Sequence, residues 1–82
     1  MKTDVCSNFH ANKNEEVHFT NSTGKECHIT GGSPMWPFKD GPPLRVPVGG
    51  CKTKLIDNLK NDTYHYEVKC CLTDTPKSVT VP

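Results

Sequence analysis

The chain has no run of even ten consecutive apolar residues, so no segment is long enough to cross a bilayer as a helix. It has one Ala and four Leu in 82 residues, poor material for helices, while nine Thr, seven Val and two Tyr favour strands. Charge of either sign is not in excess: ten Lys and Arg face nine acidic residues, for a net charge of +1. That leaves no basic stripe for a phosphate backbone and no polybasic cluster for an anionic membrane surface, which argues against nucleic acid and membrane as partners. Cys-x-x-Cys is missing too, and with it the usual zinc-knuckle and haem-attachment signatures. No Ser, His and Asp arrangement with nucleophile-elbow glycines is present, and Gly31-Gly32-Ser33 has nothing of that kind around it. The adjacent carboxylates Glu15 and Glu16 point to opposite faces of a strand, which disfavours paired acid-base work. With no positioned nucleophile, base or oxyanion donor, the chain reads as a non-enzyme without a cofactor.

What is present is a single small domain, residues 1–82, with a thin core. Leu, Ile, Val and Phe together number sixteen, and at this size folding removes only about 63% of the unfolded chain's surface from water. Five cysteines, Cys6, Cys27, Cys51, Cys70 and Cys71, supply the staples that so small a core needs. Disulfides are the expectation, and they point to a secreted or periplasmic location. Met1-Lys2-Thr3-Asp4 and the polar run after it are not a signal peptide, so export implies a leader outside these residues. An odd count means that at least one thiol is free, pairs between chains, or binds something.

Period-two alternation marks the strands. Glu16 to Asn21 places Val17 and Phe19 on one face, and the turn composition Asn21-Ser22-Thr23-Gly24 ends it. Cys27 and Ile29 then face inward with His28 and Thr30 outward, until Gly31-Gly32 breaks the run; the two segments read as a hairpin. Gly31 to Pro43, with four prolines and three glycines, is a long loop. Leu44, Val46 and Val48 alternate again, Gly49-Gly50 turns the chain, and Cys51, Thr53 and Leu55 follow. After the turn Asp57 to Asp62, the clearest strand carries Tyr64, Tyr66, Val68 and Cys70 inward and His65, Glu67, Lys69 and Cys71 outward. Ser78 to Val81 closes the chain, and Thr3 to Cys6 adds a short strand. The count is about seven strands of an all-β, small Greek-key β-sandwich, with an immunoglobulin-like sandwich as the alternative. Its expected core includes Val17, Phe19, Ile29, Val46, Val48, Leu55, Tyr64, Tyr66 and Val68.

The order of elements resembles the cupredoxin-like β-sandwich. Val17-His18-Phe19-Thr20-Asn21 followed by Cys27-His28-Ile29 is similar to the family's strand ending in Asn and the next strand, which normally opens with the first copper-ligand histidine. Val46-Pro47-Val48-Gly49-Gly50 and then Thr63 to Cys70 resemble its turn into the penultimate hairpin, whose Tyr-rich second strand ends in the copper-ligand cysteine. The resemblance covers Glu16 to Pro82. Type 1 copper needs two His and a Cys with a weak axial Met. Cys70-Cys71-Leu72-Thr73-Asp74-Thr75-Pro76-Lys77 contains neither the second His nor the Met, so type 1 copper electron transfer is excluded on the sequence.

The hairpin about Asn58 to Asp62 puts Cys51 opposite Lys69 to Cys71, and the resemblance brings Cys27 to the same end. Four cysteines, with His28 beside them, then crowd one end of the sandwich. Cys27 with Cys70 and Cys51 with Cys71 is the first pairing expected from the strand faces, with Cys6 the odd thiol; a bulge at the vicinal pair would exchange the partners of Cys70 and Cys71. The alternative is a Zn or Cu(I) site built from Cys27, His28, Cys51, Cys70 and Cys71, since soft sulfur donors suit those ions. His18 and His65 project from outward faces, where histidine is ordinarily solvated.

Pro34-Met35-Trp36-Pro37-Phe38 is a second candidate site. Met35, Trp36 and Phe38 on a Pro-stiffened loop form a binding surface or else fold back to plug an apolar-poor core. Asn21-Ser22-Thr23 and Asn61-Asp62-Thr63 fit the N-glycosylation pattern and both fall in turns. The functional expectation is a non-enzymatic extracytoplasmic binding or structural module for a protein or small-molecule ligand; a metal-binding protein is the alternative.

Overall fold

A computed structural model describes residues 1–73 and 75–82. Among the described residues there is no helix, and eight strands form two sheets: β1 (Lys2–Asp4), β2 (Phe9–His10), β3 (Glu16–Thr20), β4 (Cys27–Ser33), β5 (Leu44–Val46), β6 (Cys51–Lys54), β7 (Thr63–Val68) and β8 (Lys77–Thr80). The three-stranded sheet has the order β1-β3-β6 and the five-stranded sheet β2-β8-β7-β4-β5. The all-β class and the sandwich follow the alternation. The strand beyond the expected seven is β2, two residues long and therefore without a period to read.

The N-terminal segment belongs to both layers. β1 runs parallel to β3, the chain crosses at Val5 to Ser7, and β2 runs parallel to β8. Val5, fully buried, donates its N–H to Thr20 O at 2.9 Å, so the crossing is itself a piece of core.

Both expected hairpins are corrected by the pairing. β3 pairs with β1 and β6, whereas β4 pairs with β5 and β7, so Asn21 to Glu26 arches between layers. Likewise β6 pairs with β3 and β7 with β4 and β8; the stretch from Leu55 to Asp62 crosses from one sheet to the other. The reason is that alternation states which face of a strand is apolar, and a strand facing inward from either sheet shows the same pattern.

Gly31-Gly32 does not end β4. It forms an irregularity between Thr30 and Ser33 in the ladder to β7, at φ of 83° and 127°. A Cβ on Gly32 would sit 2.8 Å from Trp36 Cα, so the glycine lets the following loop fold back against the strand.

The expected core residues are buried with one exception, Val48, which is 62% exposed. β5 stops at Val46, and Gly50 N–H donating to Pro47 O at 2.8 Å closes a turn that carries Val48 outward. At the centre, Phe9, Phe19, Phe38 and Tyr66 form a chain of edge-to-face contacts with centroids 5.7, 5.7 and 5.4 Å apart, which joins the layers.

Candidate functional site

The end of the sandwich where β4 begins and β7 finishes carries the cysteine chemistry. Antiparallel pairing sets Ile29 opposite Val68, and Lys69 N–H donates to His28 O at 3.2 Å, so the ladder continues past β7 and brings Cys27 opposite Cys70. Their Cα atoms are 5.2 Å apart, close to the cross-strand spacing, and they form a disulfide. This bond was expected. Cys27 is fully buried and Cys70 half-buried.

The second disulfide corrects the expectation. Cys71 pairs with Cys6, Cα to Cα 5.8 Å, and Cys51 is the free thiol. The cause is the sheet assignment of β6: Cys51 stands opposite Phe19 of β3 in the other layer, not beside β7. Cys6 reaches Cys71 from the crossing between layers, in a turn held by Ser7 N–H donating to Asp4 O at 3.1 Å and Cys6 N–H donating to Asp4 Oδ1 at 3.1 Å. Cys51 is half-buried, and its thiol pKa is raised above the ordinary value, first by burial and then by the Asp40 carboxylate. Such a thiol is a poor nucleophile at neutral pH.

The alternative metal set is not gathered. His28 points outward, its Nε2 2.7 Å from Glu26 Oε1, both side chains about half exposed, and Cys51 is on the other sheet. The three sulfurs that do converge, within 4.8 Å of one another, are those of Cys6, Cys70 and Cys71, all engaged in disulfides. Two such bonds are compatible with an oxidising compartment.

Beside them opens a cleft of about 730 Å³, lined by Cys6, Cys70 and Cys71 with Asp4, Lys25, Leu72 and Lys77 around them. Leu72 is completely exposed. The arch that brings Ser22, Thr23 and Lys25 to the cleft is held by Asn21, a residue that reads in the sequence as a strand end, turn former and sequon. It is buried; its Nδ2 donates to Lys25 O and Val46 O, both at 2.8 Å, and its Oδ1 accepts from Thr23 N at 3.0 Å and from Thr23 Oγ1 at 2.7 Å. One amide thus ties the interlayer arch to the end of β5. The signal available in the sequence was Asn at a strand end followed by Ser-Thr, which is the composition of an Asx turn.

The other candidate site lies at the opposite end. Phe38 is buried and bridges to Leu55, Lys39 N–H donates to Lys54 O at 2.8 Å, and Ile56 N–H donates to Pro37 O at 3.0 Å. Trp36 is half-buried, edge-to-face on Phe38 at 5.4 Å, with its Nε1–H donating to Asp40 O at 3.0 Å. Of the three residues singled out there, Met35 alone is exposed. The loop is a plug first, and Phe38 is unavailable to a ligand.

No family profile, no curated protein and no solved structure matches this chain.

Proposed function

We propose that the chain is a non-enzymatic binding module of an oxidising, extracytoplasmic setting, and that its contact surface is the disulfide end. The observation that carries this reading is the cleft itself. Its 730 Å³ falls in the range of small-ligand sites, and it combines a fully exposed Leu72 with charged groups of both signs on walls pinned by two disulfides. Pinned walls lose little conformational entropy on binding, so exposed apolar area there converts into affinity more efficiently than on a mobile loop.

A cupredoxin-like ancestry fits the same reading. What supports it is that Cys27, at the position the resemblance gives to the first copper histidine, and Cys70, at the position of the copper cysteine, are bonded to each other. In this reading a covalent bond occupies the place of the metal, and the module keeps the open end of the sandwich as a recognition surface.

The test is a fragment screen followed by amide shift mapping on the oxidised protein. Shifts clustered on Ser22 to Lys25 and Cys70 to Thr73 support the cleft. Shifts clustered on Pro34 to Asp40, or hits that leave both regions unmoved, reject it.

A further inference from the structure

Three sulfurs from two different disulfides, Cys6, Cys70 and Cys71, lie within 4.8 Å of one another. Thiol-disulfide exchange needs only that a thiolate reach a disulfide sulfur, and a thiolate held this close replaces a bimolecular encounter with an intramolecular one. The two bonds differ in access. Cys6 and Cys71 are both half-buried and line the cleft, so either sulfur of that bond is open to attack, whereas the other bond reaches the cleft only through the half-buried Cys70, its partner Cys27 being fully buried. We propose that this end of the molecule is a thiol-disulfide exchange site, in which Cys6–Cys71 is the entry bond and Cys6 relays the exchange to the interior Cys27–Cys70 bond.

The co-reactant is a dithiol. One of its thiolates attacks Sγ of Cys71, the Cys6–Cys71 bond breaks, and the electron pair leaves on Cys6 Sγ. The Cys6 thiolate then attacks Sγ of Cys70; the Cys27–Cys70 bond breaks and its electron pair leaves on Cys27 Sγ, which takes up a proton. The second thiol of the reductant displaces Cys71 from the mixed disulfide and departs as a cyclic disulfide. In sum the dithiol loses two electrons and two protons, and the protein holds one disulfide, Cys6–Cys70, with thiols at Cys27 and Cys71.

Geometry selects Cys6 over Cys71 as the relay. Neighbouring residues have Cα atoms about 3.8 Å apart, shorter than the roughly 4.4–6.8 Å that disulfides span. A Cys70–Cys71 bond is therefore disfavoured, and a free Cys71 is a dead end. The leaving thiol also has an acceptor beside it: Lys25 O lies 3.9 Å from Cys27 Sγ, with Thr23 Oγ1 at 3.6 Å.

The experiment uses the full oxidised chain carrying Cys51→Ser, which removes the one thiol outside the cluster. Limiting dithiothreitol is added under native conditions, samples are quenched in acid, thiols are labelled, and peptides are mapped. Among chains with one bond reduced, the Cys6–Cys70 linked peptide with label on Cys27 and Cys71 is expected, together with chains labelled on Cys6 and Cys71. Adding Cys6→Ser, whose folding is followed by Trp36 fluorescence, should lower native-state labelling of Cys27 at least about tenfold. The proposal is overturned if Cys27–Cys70 stays intact in every one-bond-reduced chain, or if Cys27 labels equally fast without Cys6. Should the Cys6→Ser chain not fold, the linked peptide from the chain that retains Cys6 decides alone, its absence overturning the relay.

Discussion

The two ends of this sandwich are closed by different chemistry. At one end Pro37 and Phe38 enter the core and Trp36 lies against Phe38, so the loop after β4 seals the layers with apolar area. At the other, the large aliphatic residues of the connecting loops, Val48 and Leu72, are exposed, and two disulfides with one buried amide hold the same gap. Covalent closure releases those loops from having to supply core. An end so closed can present Leu72 and an open cleft to solvent, while the plugged end has its aromatics already committed to stability.

The sharpest way to break this comparison is to remove the covalent seal. Replacing Cys27 and Cys70 together by Ala is expected to cost about 4 kcal/mol by the loop-entropy model, a large share of a small domain's stability. A shift of the urea midpoint on the oxidised protein measures it; a loss under about 1 kcal/mol would mean that the amide and the sheet pairing hold this end alone.

Slightly smaller is the loss expected at the plugged end. Phe38→Ala, which removes a ring in contact with Phe19, Trp36 and Tyr66, should cost about 3–4 kcal/mol by the same titration. Trp36→Ala should cost less, about 1–2 kcal/mol, because that side chain is half-exposed. Equal losses at the two positions would show that the plug is not centred on Phe38.

Asn21→Ala separates the amide from the sulfurs. It leaves the Val46 carbonyl without its side-chain donor and is expected to cost about 2–3 kcal/mol with both disulfides intact. The same geometry makes the two sequons unequal in the folded chain. Asn61 is exposed, whereas both hydrogens of Asn21 Nδ2 are in use.

Leu72→Ala should change stability by less than about 0.5 kcal/mol yet weaken any ligand found at the cleft, a split that a structural role would not produce. The smallest effect concerns Cys51. Burial and the Asp40 carboxylate hold its thiol above the ordinary pKa, so its thiolate is scarcer than that of an unperturbed cysteine at any pH below that value. Alkylation at pH 8 is expected to be slower than for a cysteine peptide and to rise steeply with further increase in pH. Labelling at the peptide's rate would remove burial as the cause.

Much of the fold was legible. Alternation in Glu16 to Thr20 and Thr63 to Val68 identifies strands and their inward residues, because side chains on a strand alternate strictly and only one face is buried. β2 was not legible, being two residues stabilised by parallel pairing to a strand near the opposite terminus. Gly31-Gly32 reads as a stop, since a glycine pair signals either a turn or a bulge and only the approach of Trp36 distinguishes them. At the candidate site, two inward faces together with the resemblance make Cys27–Cys70 the first choice with the exchange of Cys70 and Cys71 left open, and the role of Asn21 is not legible, because its partners include a carbonyl 25 residues away.

By itself, then, the sequence determined the β class, the inward face of each longer strand and the need for covalent staples. These are local or compositional properties, set by period, propensity and the small number of apolar residues. Only the tertiary structure decided which sheet each strand joined, and with it the pairing of the cysteines. Cys51 faces inward whether β6 lies beside β7 or beside β3, and the alternation is the same in both. Pairing with β3 carries Cys51 away from Cys71 and leaves that partner to Cys6, which the crossing of the N-terminal segment between layers brings within bonding distance.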